Sequence, residues 1–223
     1  MSIKKKNEIL GFIPARAGSK RIKNKNIRFF KRKPLIYHTI KSSLKSKYIT
    51  KTVVFSDSQK FNKISSKIGA DINFKRPKFI SKDKTTMYET IKYFFNKYKI
   101  QKKFQFFVLL QPTSPLRNEN DIDKAILQLV KKKNADGIIS TFKVNKIKKS
   151  YPDKFMNEKK GFLKIIKKKN ITKLDKVYLR NGPAIFIIKT ERLQKELYNL
   201  NLLNYVMSEN RSLDINNEGD LNF

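Results

Sequence analysis

The stretch Glu8-Ile9-Leu10-Gly11-Phe12-Ile13-Pro14-Ala15-Arg16-Ala17-Gly18-Ser19-Lys20 joins an apolar run to a cationic loop. The run is short and Pro14 closes it, which predicts a buried strand. In open α/β sheets, ligands bind outside the carboxyl ends of strands, so the loop is the first place to look for chemistry. Outward from this stretch, strand and helix signals alternate. Leu35, Ile36, Ile40 and Leu44 follow Pro34, a residue suited to a helix start. Thr52-Val53-Val54-Phe55 reads as a second strand, and Phe61, Ile64 and Ile68 as a helix that Gly69 can cap. Met87, Ile91 and Phe94-Phe95 mark a helix to about Tyr98. Phe106–Leu110 predicts a buried strand, Asp121–Lys131 a helix and Gly137–Phe142 a strand. This alternation predicts an α/β layered fold with a mainly parallel sheet.

The rhythm breaks after Val144. Lys154-Phe155-Met156 and Phe162–Ile166 flank Asn157–Gly161, which predicts a β-hairpin with a longer loop. Ala184–Ile188 returns to a buried strand. The expected division is an α/β core over 1–145, a small excursion over 146–180 and a return to the core over 181–223.

Composition narrows the chemistry. The chain has 223 residues and no cysteine, which excludes disulfide frameworks, thiolate metal sites and cysteine nucleophiles. Its one histidine, His38, excludes any site needing two imidazoles. The longest uncharged apolar stretch, Phe104–Leu116, spans thirteen residues and holds two prolines, too short and broken to cross a bilayer. The apolar run after Lys4–Lys6 stops at Pro14, which is no secretory signal and makes the cytoplasm the expected address. The net charge of +34 is of the kind that draws polyanions. Lys, Asn, Ile and Phe share AT-rich codons and supply 106 residues, and the lysines are spread along the whole length. Base bias therefore accounts for the charge, and nucleic acid is not the expected partner.

Three polar segments follow strand ends. In the first, a Gly18-Ser19 turn lets backbone amides approach phosphate oxygens, while Arg16, Lys20 and Lys25 add charge and donors. The spacing fits neither a Walker A loop nor GxGxxG. The second, Gln111-Pro112-Thr113-Ser114-Pro115-Leu116-Arg117, fixes its backbone with two prolines and offers a dense donor set. The third, Ser56-Asp57-Ser58, also reads as a plain helix N-cap.

Ile13–Lys20 with Lys25-Asn26, and Leu109–Arg117, resemble the two long signatures of the acylneuraminate cytidylyltransferases. Val54–Ser58, Arg76-Pro77, Asn181-Gly182 and Leu213-Asp214-Ile215 fall in the same order, so the resemblance spans about residues 9 to 221. It implies a three-layer Rossmann-like nucleotidyltransferase fold with a small β-hairpin dimerisation excursion. It also implies a reaction, in which CTP and a nine-carbon 2-keto sugar acid give a CMP-sugar and pyrophosphate. Carried over by position, Arg16, Lys20 and Lys25 are the catalytic cations. Ala15, Gly18, Ser19, Asn26, Arg76, Gln111, Thr113 and Ser114 bind nucleotide. Gln111, Lys154, Tyr178, Asn181 and Phe186 are the sugar-side candidates. Asp214 matches the first aspartate of the family's Asp-x-Asp and Asn216 stands at the second, a pair implied to hold Mg²⁺. Asp220 is expected to cap a helix start. An arginine that relatives often carry before a Leu-Pro pair is missing, and Lys173 stands near that place. The resemblance also implies a homodimer, with 146–180 reaching the partner subunit through Phe155, Phe162, Ile165 and Ile166. A Kdo-type synthetase and a basic nucleic-acid-binding protein on the same fold are the alternatives.

Overall fold

A computed structural model describes residues 8–144, 155–166, 176–182, 184–193 and 200–223. The opening run forms β1 (Ile9–Pro14), buried along its whole length. It pairs in parallel with β4 (Lys51–Phe55) on one side and β5 (Phe106–Leu109) on the other. A small ribbon, β2 (Phe29–Phe30) with β3 (Lys33–Pro34), lies apart from this sheet.

Beyond β5 the sheet continues through β10 (Phe186–Lys189) to β6 (Gly137–Lys143). β10 is antiparallel to both neighbours, whereas β11 (Leu202–Val206) runs parallel to β6 along its other side. The central sheet is thus mainly parallel, with β10 as the strand set against its neighbours. The far end of β6 pairs with β9 (Tyr178–Arg180), which leads to β7 (Phe155–Lys159) and β8 (Phe162–Ile165).

Successive side chains of β1 point to opposite faces, as a strand requires. Ile9 and Ile13 join a core with Ile36 and Ile40 of α1 (Leu35–Lys45), Phe61 of α2 (Gln59–Ile68) and Ile122, Ile126 and Leu129 of α4 (Glu119–Lys131). Leu10 and Phe12 enter a second core with Ile91, Phe94 and Phe95 of α3 (Met87–Tyr98). Helices on both faces of one sheet make three layers. The phenylalanine excess is spent here: the Phe12 ring lies 4.7 Å from Phe94 and 5.0 Å from Phe107, centroid to centroid.

Local chemistry sets the helix ends. Ser58 Oγ accepts from the Phe61 amide to start α2, and Gly69 at φ 112° closes it. Reciprocal capping boxes, Thr86 with Glu89 and Asn118 with Asp121, start α3 and α4.

Two expectations about the hairpin need correction. Its loop is short, because Lys159 pairs directly with Phe162 and only Lys160 and Gly161 lie between. Both adopt positive φ, 52° and 80°, the conformation that lets a two-residue turn follow the right-handed strand twist. Phe155 is fully buried against Phe142, Val177 and Leu179, so it packs inside this chain and is not exposed. Of the apolar residues named there, Ile165 is the strongly exposed one, at 60%.

Candidate functional site

The loop after β1 is held by a few single contacts. The Ala15 amide continues the ladder to the Phe55 carbonyl at 3.0 Å. The Ala17 amide donates to Asp57 Oδ1 at 2.9 Å, so the third polar segment tethers the first. Asn26 Nδ2 donates to the Arg16 carbonyl at 3.1 Å and closes the loop on itself. From this frame the Arg16 and Lys20 side chains meet on one carboxylate: Arg16 Nη1 lies 2.8 Å from Asp83 Oδ1 and Lys20 Nζ 3.0 Å from Asp83 Oδ2.

The turn after β5 forms the facing wall. Its Gln111 carbonyl accepts from Thr39 Oγ1 at 3.3 Å and from Arg117 Nη1 at 3.4 Å. Arg117 is fully buried, and also donates to the Ala184 carbonyl at 2.8 Å and to Ser42 Oγ at 3.3 Å. Burial pushes its guanidinium down to about 9, against the pull of Asp121.

These loops, with Arg76 and the start of α3, enclose a cleft of about 510 Å³. That volume lies within the usual range for small-molecule sites. Arg16, Ser19, Lys20, Lys25, Asn26, Arg76, Gln111 and Thr113 all line it, so eight expected residues from three chain segments come together. Arg76 is buried and donates through Nη2 to the Ile80 carbonyl at 2.7 Å and to Thr90 Oγ1 at 3.2 Å. Desolvation pushes it down to about 10, opposed by Asp57. Its fork therefore both lines the cleft and fixes the segment that carries Asp83.

Lys25 links the cleft to the C-terminal segment, donating from Nζ to the Ile215 carbonyl at 2.8 Å. Burial lowers its pKa from the ordinary lysine value, and Asp214 opposes that shift. Asp214 is half-buried, and Asn216 Nδ2 donates to its Oδ2 at 3.2 Å and to its carbonyl at 3.0 Å. Gly182, at φ 111°, lies between Asp214 and Ser114: a Cβ there would stand 3.2 Å from Ser114 Oγ and 3.5 Å from Asp214 Cγ. Ser114 Oγ is buried with no hydrogen-bond partner. Asp220 caps as expected, accepting at Oδ2 from the Asn216 and Asn217 amides at 2.6 and 3.0 Å.

Other expected residues lie off the cleft wall. Ala15 is buried beneath it and Gly18 is exposed beyond it. Tyr178 and Phe186 pack in the core on α3's side of the sheet. The Asn181 amide is committed inside the protein, accepting from Ser140 Oγ at 2.7 Å and donating to Ser212 Oγ at 3.0 Å. As the chain stands, these three side chains build the core and do not face the cleft. Lys154 and Lys173 lie outside the described residues. Three further residues shape the site without an expected role in it: Asp57 and Arg117, from two of the polar segments, and Asp83. For Asp83 the available signal was an acid among the lysines of Lys78–Lys84, just after Arg76-Pro77.

Among the described residues no group of three His, Cys, Asp or Glu could hold a metal ion by itself. Nor is any helix among them long and apolar enough to cross a membrane.

A family model described as Cytidylyltransferase matches residues 10–212. The chain is 30% identical over 217 residues to an N-acylneuraminate cytidylyltransferase of Escherichia coli O18:K1:H7, covering 96% of this chain and 51% of that one. It is 38% identical over 119 residues to a CMP-N,N'-diacetyllegionaminic acid synthase of Legionella pneumophila, covering 53% of this chain and 51% of the relative. The chain thus spans about half the length of these two curated relatives. A solved CMP:2-keto-3-deoxy-manno-octonic acid synthetase superposes with a TM-score of 0.71 at 13% identity, over 91% of this chain and 90% of that one. At that identity the match concerns the fold.

Proposed function

This chain belongs to the cytidylyltransferase family, and we propose that it joins CTP to a nine-carbon 2-keto sugar acid, giving a CMP-sugar and pyrophosphate. The observation that carries the reading is the convergence of Arg16, Lys20, Lys25, Gln111 and Thr113 on one cleft of about 510 Å³. Transfer of a nucleotidyl group needs little covalent help from a protein. It needs the triphosphate held in line and its growing charge neutralised.

Arg16, Ser19 and Lys20 would grip the β- and γ-phosphates, and Lys25 the α-phosphate. Asn26 and Arg76 would seat the nucleotide through the frames they hold. Gln111, Thr113 and Ser114 would stand between nucleotide and sugar acid. The anomeric oxygen bonds to the α-phosphorus as the α–β bridging bond breaks. Its electron pair leaves with pyrophosphate, and the hydroxyl proton passes to solvent.

The residues fit Mg²⁺, which takes oxygen ligands and is often held by one carboxylate plus substrate phosphates. Asp214 offers that carboxylate beside the unpartnered Ser114 Oγ. When bound, the ion would neutralise charge on the phosphates. Asn216 turns its amide nitrogen to Asp214 and would orient that carboxylate. The proposed enzyme works as a cytoplasmic homodimer with the β7–β8 hairpin at the subunit boundary, a reading that the exposed Ile165 supports; 146–154 and 167–175 lie outside the described residues.

Pyrophosphate release with CTP, Mg²⁺ and a panel of neuraminic, legionaminic and pseudaminic acids tests the reading. Release is expected with CTP and at least one of these acids. Release with none of them, or equally with GTP, would overturn it.

A further inference from the structure

We infer that Asp83 is an anion placeholder, whose carboxylate keeps Arg16 and Lys20 aimed into the cleft and yields both to an incoming polyphosphate. The inference rests on the triphosphate reading of the cleft and adds a residue that reading does not use.

Acids are scarce in this chain, 18 against 52 lysines and arginines. Asp83 nevertheless spans two cleft cations at once. Each oxygen takes a different partner, Oδ1 from Arg16 at 2.8 Å and Oδ2 from Lys20 at 3.0 Å. Two oxygens of one phosphate group would engage the same pair in the same way.

The position is built and anchored at both ends. Upstream, Arg76 clamps the Ile80 carbonyl through Nε at 3.3 Å and Nη2 at 2.7 Å, and Ser81 Oγ donates to the Pro77 carbonyl at 2.9 Å. Downstream, the Thr86–Glu89 capping box fixes the start of α3. Between these anchors, the Thr85 amide donates to the Lys82 carbonyl at 3.1 Å, and that tight turn carries Asp83 on the cleft lip.

The contact is also made to exchange. The Lys20 side chain is 76% exposed and Asp83 39%, so water and ions reach the pair. Exposed pairs of this kind hold weakly. A proton does not open it near neutrality, because hydrogen bonds from Lys20, and then Arg16, hold the Asp83 carboxyl below the ordinary aspartate value. A polyphosphate carries several negative charges and outbids a single carboxylate for the two cations.

Calorimetric titration with inorganic pyrophosphate, without metal and at low salt, tests this directly. Asp83→Asn should bind pyrophosphate roughly three- to tenfold more tightly than the parent, the span set by one or two weak exposed pairs. Asp83→Glu, which keeps the charge, should stay within about twofold of the parent. In a Lys20→Ala background the gain from Asp83→Asn should shrink, because one partner is already gone. Equal or weaker binding by Asp83→Asn overturns the inference, as does an undiminished gain in Lys20→Ala or no pyrophosphate binding by either protein. CTP binding no better than GTP would instead defeat the cytidine reading, while the pyrophosphate result still decides the role of Asp83.

Discussion

The loop after β1 and the turn after β5 leave neighbouring parallel strands, yet they use arginine in opposite ways. Arg16 reaches over the cleft with 30% of its side chain exposed and shares a carboxylate with Lys20. Arg117 points inward, 2% exposed, and binds the Gln111 and Ala184 carbonyls. One loop keeps its charge exposed, on a carboxylate at the cleft lip, and is held by single tethers. The other spends its charge inside the protein and stays rigid. The proposed transfer calls for a surface that grips phosphate and a fixed wall beside it, and loops from neighbouring strands would supply one each.

The sharpest way to break the comparison is Arg117→Ala. The buried Ala184 carbonyl would lose its donor, the Gln111 carbonyl one of its donors, and a cavity would open, at a cost of about 3–5 kcal/mol in stability. Urea denaturation measures it, and a loss below about 1 kcal/mol would place Arg117 with the surface arginines. On the ligand side, Lys25→Ala should lower kcat/KM for CTP by an amount equivalent to about 2–4 kcal/mol, from the loss of a charge-assisted contact in the transition state. Steady-state kinetics checks this, and turnover at the parent rate would remove Lys25 from the site. The smallest effect is expected for Asp57→Ala, which frees the Ala17 amide. Stability should fall by about 1 kcal/mol, the net contribution of a typical hydrogen bond, because both partners are only half-buried. Denaturation of the variant shows whether that tether holds the loop or merely accompanies it.

Much of the fold was legible in the sequence because apolar runs and helical faces announce burial directly. β1, β4, β5 and the helices α1–α4 fall within a few residues of their expected places. Strand direction carries no such signature, so the reversal of β10 emerges only from three-dimensional pairing. The two-residue hairpin turn was hidden because lysine at position 160 gives no hint of positive φ. In the site, motif order brought Arg16, Lys20, Lys25 and Gln111 to one cleft. It could not tell which way a side chain faces, and Tyr178, Asn181 and Phe186 turn into the core. Asp83 lies 67 residues from Arg16 and 63 from Lys20 in sequence, so its pairing with them depends on tertiary proximity.

The late arrival of β10 sets the order in which this protein can assemble. Until residues 186–189 are made, β5 and β6 present open edges to a gap one strand wide, an invitation to mispairing. The Arg117 bolt also waits, since one of its sockets is the Ala184 carbonyl. A nascent chain ending near residue 145 would thus carry the whole cationic loop yet half a finished wall, and ligand recognition would mature only once the ribosome had delivered the middle strand of the sheet.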